Sequence, residues 1–292
     1  MAGLDPALIG EAARAAGAIP GRRRDSNGDP GGLVELAPDT GAIIVGDLHG
    51  CRKHFEAILA DENNLPWIET GTAALVLLGD IPHDDRPDHL RDMEESIDLL
   101  ERVISFTVEH PGKVIHLRGN HDTFDPRVSK GGVLQGRAFH EAVLRTRGRK
   151  YAYALEEYFE ALPVFLVGRD FAAVHAGPPR GGCGREELAD AALDRRLYDQ
   201  LIWNRCRGAS PFRFPQEYGA ADVEKTRRLL GLRETAPFIV GHSPLWDEPS
   251  DIPGLWMDAL GITNHHILYS GYHSSAPYFS VREGVLLQKT AD

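Results

Sequence analysis

The chain has 292 residues, 42% of them hydrophobic and 26% charged, which is enough apolar material for one large domain with a full core. It has no apolar run of about 18 residues, so neither a membrane span nor a membrane partner is expected; its start lacks the basic and apolar segments of a secretory signal, so the expected location is cytoplasmic. The net charge of -11 argues against a binder of duplex nucleic acid, which needs a basic face, but not against a small phosphorylated substrate, because bound metal ions supply positive charge locally.

Residues 1–40 read as an N-terminal extension, partly flexible. Pro6 to Ala18 suits a short helix. Arg22, Arg23 and Arg24 form a basic run that reads as a solvated segment, and SNGDPGG at 26–32 is rich in turn signals. From 41 to 292 the pattern is regular and reads as one domain. Short apolar runs closed by polar clusters are expected as buried strands: AIIV at 42–45, ALVLL at 74–78, KVIHL at 113–117, FAAV at 171–174, PFIV at 237–240 and HHILY at 265–269. Helical spacing of apolar residues marks His54–Ala60, Asp92–Val108, Tyr153–Leu162 and Glu186–Trp203. YFSV and GVLLQ at 278–288 suit a hairpin. Strands alternating with helices indicate a layered α/β fold, whose functional residues sit on loops at the carboxyl ends of strands. The scattered cysteines Cys51, Cys183 and Cys206 are expected as free thiols.

The residues after the strands carry the chemical signal. The first strand runs into Gly46-Asp47-Leu48-His49-Gly50 and the second into Gly79-Asp80. The third runs into Arg118-Gly119-Asn120-His121-Asp122. Two later strands run into His175-Ala176-Gly177 and Gly241-His242-Ser243-Pro244. Taken singly, a Gly-Asp pair is usually a turn or a helix cap, and a histidine after a strand is commonly a core residue. Five strand ends that all deliver Asp, Asn or His beside glycine point instead to a metal centre. Carboxylate, imidazole and amide oxygen suit Mn, Fe or Zn, and glycine lets the backbone approach an ion closely. Asp80 is the natural bridging carboxylate between two ions.

In this order the strings GDLHG, GD, RGNHD, HAG and GHS resemble the calcineurin-like metallophosphoesterase superfamily, over about 41–290. They are most similar to its phosphoprotein phosphatase (serine/threonine) branch, whose pattern is GDxHG, GDxVDRG, GNHE, HGG and a late GH. LIWNR at 201–205 resembles that branch's LLW element. The resemblance implies a layered β-sandwich flanked by helices and two divalent metal ions. One ion would be held by Asp47, His49 and Asp80, and the other by Asp80, Asn120, His175 and His242. It further implies His121 as general acid and Arg118 as a phosphate contact. The expected activity is hydrolysis of phosphomonoesters, chiefly as a serine/threonine protein phosphatase, on a phosphorylated protein or a small phosphoester. The enzymatic alternative is a dinucleoside polyphosphate hydrolase. An alternative of another class is a non-catalytic metal-binding interaction module.

One stretch departs from the family's pattern. Where GDxVDRG has Asp and Arg, this chain has His83 and Asp84. Asp84 or Asp85 is therefore expected to orient His121 in place of the absent Asp. Arg86 is expected as a substitute phosphate contact, with Arg213 as a second. Tyr272, beside His273 in SGYHSS, is expected to border the substrate. His265 and His266 read as surface or core residues rather than ligands.

Overall fold

In the alternating residues of each strand lies the reason for the architecture. A computed structural model describes residues 3–207, 217–246 and 250–292. In strand Gly41–Val45, Ile43 and Val45 face one apolar cluster while Ala42 and Ile44 face another. In Ala73–Leu77, Leu75 and Leu77 alternate with Ala74 and Val76 between the same two clusters. Across the molecule, Phe238 and Val240 point outward and Ile239 inward, as do Ala172, Val174 and Ala173. Strands buried on both faces need cover on both. Two sheets therefore stack face to face, and helices close the two outer sides.

The five-stranded sheet runs Val285–Ala291, Ala276–Arg282, Gly41–Val45, Ala73–Leu77, Val114–His116; its last three strands are parallel and its first two form the expected hairpin. The seven-stranded sheet runs Arg22–Arg24, Pro30–Glu35, Phe165–Val167, Ala172–Val174, Phe238–Val240, His265–Leu268, Leu255–Trp256. Ala172–Val174, Phe238–Val240 and His265–Leu268 are parallel to one another. The loops that follow the parallel strands of the two sheets meet at one end of the sandwich. Across that end, for example, the His242 backbone N–H donates to the Asp47 carboxylate.

Three expectations need correction. Glu186–Trp203 is not one helix but Arg185–Ala189, a 3-10 turn Ala191–Leu193, and Arg195–Trp203. Asp194 is extended, and its carboxylate accepts from the Arg196 and Leu197 backbone N–H groups, so it starts a new helix instead of continuing one. The stretch 1–40 contributes to both layers. Helix Pro6–Gly17 buries Ile9, Ala12 and Ala16 in the helical layer of the five-stranded sheet, and Pro30–Glu35 pairs in parallel with Phe165–Val167. Arg22 is not merely solvated, since its guanidinium donates to the carbonyls of Ala16, Gly31 and Ala161 at 2.6–2.8 Å. His265 and His266 are buried in their strand. Among the described residues no helix is long and apolar enough to cross a membrane.

Candidate metal centre and active site

The loops at this end hold backbone conformations that side chains rarely adopt. His49, Asp80, His83, His242 and Tyr272 all have positive φ, between 48° and 72°. Such strain persists where surrounding packing over-determines it. Glycines make the packing possible. A Cβ on Gly241 would strike the Asp47 carboxylate, and one on Gly119 would strike the Asp80 side chain and backbone. These two glycines let separate loops close on the same pair of carboxylates.

Asp47, His49, Asp80, Asn120, His175 and His242 come together there, each at most 5% exposed. Two groups of potential ligand atoms emerge: Asp47, His49 and Asp80, and Asp80, His175 and His242. Asp80 belongs to both. His49 Nε2 lies 3.9 Å from Asp47 and 3.8 Å from Asp80. His175 Nε2 lies 3.4 Å from Asp80, 2.9 Å from Asn120 Oδ1 and 3.2 Å from His242 Nδ1.

The ring orientations fit a metal. His49 Nδ1–H donates to the His83 carbonyl at 2.7 Å, and His175 Nδ1–H donates to the Leu78 carbonyl at 3.0 Å. That leaves Nε2 of each neutral ring as a lone pair aimed inward, the usual arrangement behind a metal-binding histidine. Nε2 of His175 and Oδ1 of Asn120 are then two acceptors facing each other, a pairing that a cation resolves. The charges make the same demand. Burial raises the Asp47 carboxyl to about 7, with Asp80 adding repulsion. Burial opposes charge on His175, but Asp80 and Asp47 outweigh it and raise the imidazole to about 9. Both shifts signal a buried pocket short of positive charge.

Asp122 organises the loops and was not singled out in the sequence, although it closes the GNHD string. Its carboxylate accepts from the backbone N–H groups of Gly119 at 2.7 Å, Asp80 at 3.0 Å and Ile81 at 3.2 Å. Burial opposes its ionisation, yet His116 and these N–H groups prevail and hold it at about 2. Asp80 in turn accepts from the His121 backbone N–H at 2.7 Å.

The departing loop is arranged differently from the expectation. His121 does not meet Asp84 or Asp85. Its Nδ1 lies 2.9 Å from Nδ1 of His83. Asp84 is taken by Arg86 and by the Tyr272 hydroxyl, 3.1 Å away. Asp85 is taken by Lys130 and by the Tyr269 hydroxyl, 2.6 Å away. Arg86 does not reach into the centre, because Asp84 and Glu95 bind its guanidinium and Tyr272 lies under it at 4.2 Å. Tyr272 is likewise spent on Asp84 and Glu95. Arg213 lies outside the described residues.

Arg118 faces a cleft of about 750 Å³ that begins at Asn120 and is walled by Phe124, Glu156, Tyr198 and Trp203. One Nη of Arg118 donates to the Phe159 carbonyl at 2.9 Å, and the guanidinium sits 5.8 Å from the Tyr198 ring centre. The sequence reading also passed over Arg205, which ends the LIWNR string and donates to the His242 carbonyl at 3.1 Å. No spacing rule marks it, since a lone arginine after a helix is ordinary.

Comparisons with known proteins complete the description. Residues 42–267 match the family model of the calcineurin-like phosphoesterases. By sequence, no curated protein matches the chain. By structure, it is similar to a protein serine/threonine phosphatase from Saccharomyces cerevisiae described as similar to human phosphatase PP5. The TM-score is 0.71 and the identity 14%, over 98% of this chain and 88% of that one. It is also similar to a mutant cold-active protein tyrosine phosphatase (TM-score 0.52, 14% identity, 88% of this chain and 83% of that one). The corresponding enzyme of a psychrophilic Shewanella gives a TM-score of 0.50 at 14% identity, again over 88% of this chain and 83% of that one. At these identities the likeness concerns the fold.

Proposed function

Because the chain belongs to the calcineurin-like phosphoesterase family, we propose that this metal-dependent phosphatase hydrolyses phosphomonoesters, and specifically phosphoserine and phosphothreonine in proteins. The observation that carries the reading is the membership of Asp80 in both ligand groups, which is the arrangement a two-ion centre requires. Asp47, His49 and Asp80 would hold one divalent ion, and Asp80, Asn120, His175 and His242 the other, with Mn, Fe or Zn suited to this donor set. When bound, the ions supply positive charge to the phosphate and acidify the attacking water.

The chain's own residues account for the rest. Arg118 lines the cleft together with Asn120 and neutralises charge on the transferring phosphoryl group. His121 is fixed by its backbone hydrogen bond to Asp80 and by the His83 ring, and delivers a proton from Nε2 to the leaving oxygen. Water performs the attack, so no covalent intermediate on a side chain is needed. The cleft beyond Asn120 receives the rest of the substrate, and its aromatic walls suit a peptide flank.

The test is an assay of metal-stripped protein on p-nitrophenyl phosphate with and without added Mn, followed by a panel of phosphoserine, phosphothreonine and phosphotyrosine peptides and diadenosine tetraphosphate. Mn-dependent turnover with preference for phosphoserine or phosphothreonine is expected. Preference for the dinucleotide would replace the protein-phosphatase reading. Binding of Mn without any turnover would leave only the interaction-module alternative.

A further inference from the structure

The cleft beside the metal centre carries an uneven charge. Arg127 is paired with Asp125 and Arg195 with Asp199, so these four side chains cancel. Arg118 remains for the phosphate. Glu156 and Glu160 line the same cleft, and neither has a cationic partner among the described residues. Once Arg118 is matched to a phosphate, the rest of the cleft holds two uncompensated negative charges.

Helix Arg149–Ala161 sets where those charges lie. Phe159 lines the cleft from this helix, and its carbonyl accepts from Arg118 at 2.9 Å. Glu156 precedes Phe159 by three positions and Glu160 follows it directly, so both stand within about one helical turn, roughly 5.4 Å along the axis, of the residue that anchors Arg118. Four positions apart, the two carboxylates share a helix face and repel each other. The cleft is open to a ligand on separate grounds. Asn120 is only 3% exposed and lines it, yet its amide N–H groups find no acceptor among the described residues. Tyr198 lines it too, and its hydroxyl makes no hydrogen bond among the described residues.

We propose that this cleft selects phosphoproteins carrying an arginine or lysine one to three positions from the phosphorylated serine or threonine, and that Glu156 and Glu160 bind that basic side chain. This rests on the phosphatase reading above and narrows its substrate class. An extended chain advances about 3.3–3.6 Å per residue, so one to three residues span the distance from the phosphate at Arg118 to the two carboxylates. The aliphatic stem of the basic residue lies against the aromatic walls while its charged head meets the acids. Complementary charge at this place excludes acidic flanks as well as attracting basic ones.

The test uses metal-replete protein and phosphoserine peptides of one length that differ only in having Arg, Ala or Glu at the positions flanking the phosphoserine. The wild type is compared with the double variant Glu156→Gln/Glu160→Gln and with Glu157→Gln, a control that removes an exposed carboxylate of the same helix outside the cleft. Two partly solvated ion pairs predict that the wild type prefers the arginine peptide to the alanine peptide by roughly three- to thirtyfold in kcat/KM, less at high salt. The double variant should bring this ratio close to one, and Glu157→Gln should keep it. A wild type that shows no preference, or that favours glutamate, overturns the proposal. So does a ratio undiminished in the double variant, or one lost equally in Glu157→Gln. Glutamine matches glutamate in shape and helix propensity, so the fold is kept. The same flanks are compared by fluorescence anisotropy on labelled peptides with a non-hydrolysable phosphonate in place of the phosphate. Absence of hydrolysis of every phosphopeptide would sink the phosphatase reading, while the anisotropy ratio still decides for or against the two glutamates.

Discussion

Nδ1 of His83 and Nδ1 of His121 lie 2.9 Å apart, so two imidazoles share one hydrogen. Nε2 of His83 is buried without a partner, and a bare lone pair costs less there than an unpaired N–H. The hydrogen is therefore assigned to Nδ1 of His83, with His121 accepting. A neutral His121 then carries its own hydrogen on Nε2, the nitrogen with no partner among the described residues. A carboxylate partner would enforce the opposite tautomer on a neutral ring. His83 thus orients the resting, neutral ring; as general acid His121 donates from its imidazolium form, in which its Nδ1–H donates to Nδ1 of His83 and its Nε2–H goes to the leaving oxygen.

The first prediction follows from that pair. His121→Asn should lower turnover of an alkyl phosphate by roughly 10²–10⁴ and spare p-nitrophenyl phosphate far more, because nitrophenolate leaves without a proton. His83→Ala should act in the same direction to a smaller extent. Burial and the neighbouring histidines hold His121 well below its usual value. His83→Asp puts a negative charge beside it, so the basic limb of the pH–rate profile should move to higher pH. A profile that stays put would remove His83 from the mechanism.

The second concerns the shared carboxylate. Asp80→Asn should lose binding at both sites together, whereas Asp47→Asn should spare the second. Metal content by elemental analysis distinguishes the two variants. Mn should also raise the thermal midpoint of wild type, by about 2.7 kcal/mol of added stability at a hundredfold excess over its dissociation constant, and should do so less in either variant. Equal loss from both variants would argue against separate sites joined only through Asp80.

The third tests the glycines. Gly241→Ala places a methyl group against the Asp47 carboxylate, and that carboxylate cannot retreat without giving up the His242 backbone N–H. The variant should fold, as judged by circular dichroism, yet bind metal weakly. Normal metal content in Gly241→Ala would show that the loops have slack.

The fourth is a pH dependence of stability away from the centre. His265 accepts from the Tyr218 hydroxyl at 3.0 Å and donates to the Phe238 carbonyl at 3.1 Å. Burial lowers it to about 3, and lowers His266 to about 4. Their unfolded values are near 6.5, so between these limits the unfolded chain binds more protons than the folded one. Stability from this source is whole above about pH 6.5 and drains as pH falls, toward about 4 for His266 and about 3 for His265, at a limiting slope of about 1.4 kcal/mol per pH unit for each group. Urea unfolding at a series of pH values measures it. His265→Gln should flatten the acid limb, and an unchanged limb would exclude His265 as its source.

Much of the fold was legible because burial on both faces leaves a plain mark. AIIV, ALVLL and PFIV are runs of apolar residues with glycine after them, and each is a central strand. Pro30–Glu35 and Leu255–Trp256 were not legible, because two glycines blur the first and the second has only two residues. At the centre, the strand-end strings named the residues that the structure gathers, since each side chain lies within a few positions of a readable strand. The partners of His121 were not legible. Asp84, Asp85 and His83 are consecutive or nearly so, and only the turn that gives His83 a φ of 72° decides which of them faces the acid.

The left-handed residues of the centre have a bearing on how this protein tolerates change. His49, Asp80, His83 and His242 each hold a shape that glycine or asparagine would accept with less effort. In the metal-free protein, replacing any of them that way should therefore relieve strain and make the molecule harder to melt. Each such gain in heat resistance would remove a group that the proposed chemistry needs. A search for hardier variants that screens on melting alone will be drawn to these positions, and it will return robust proteins that have stopped being catalysts.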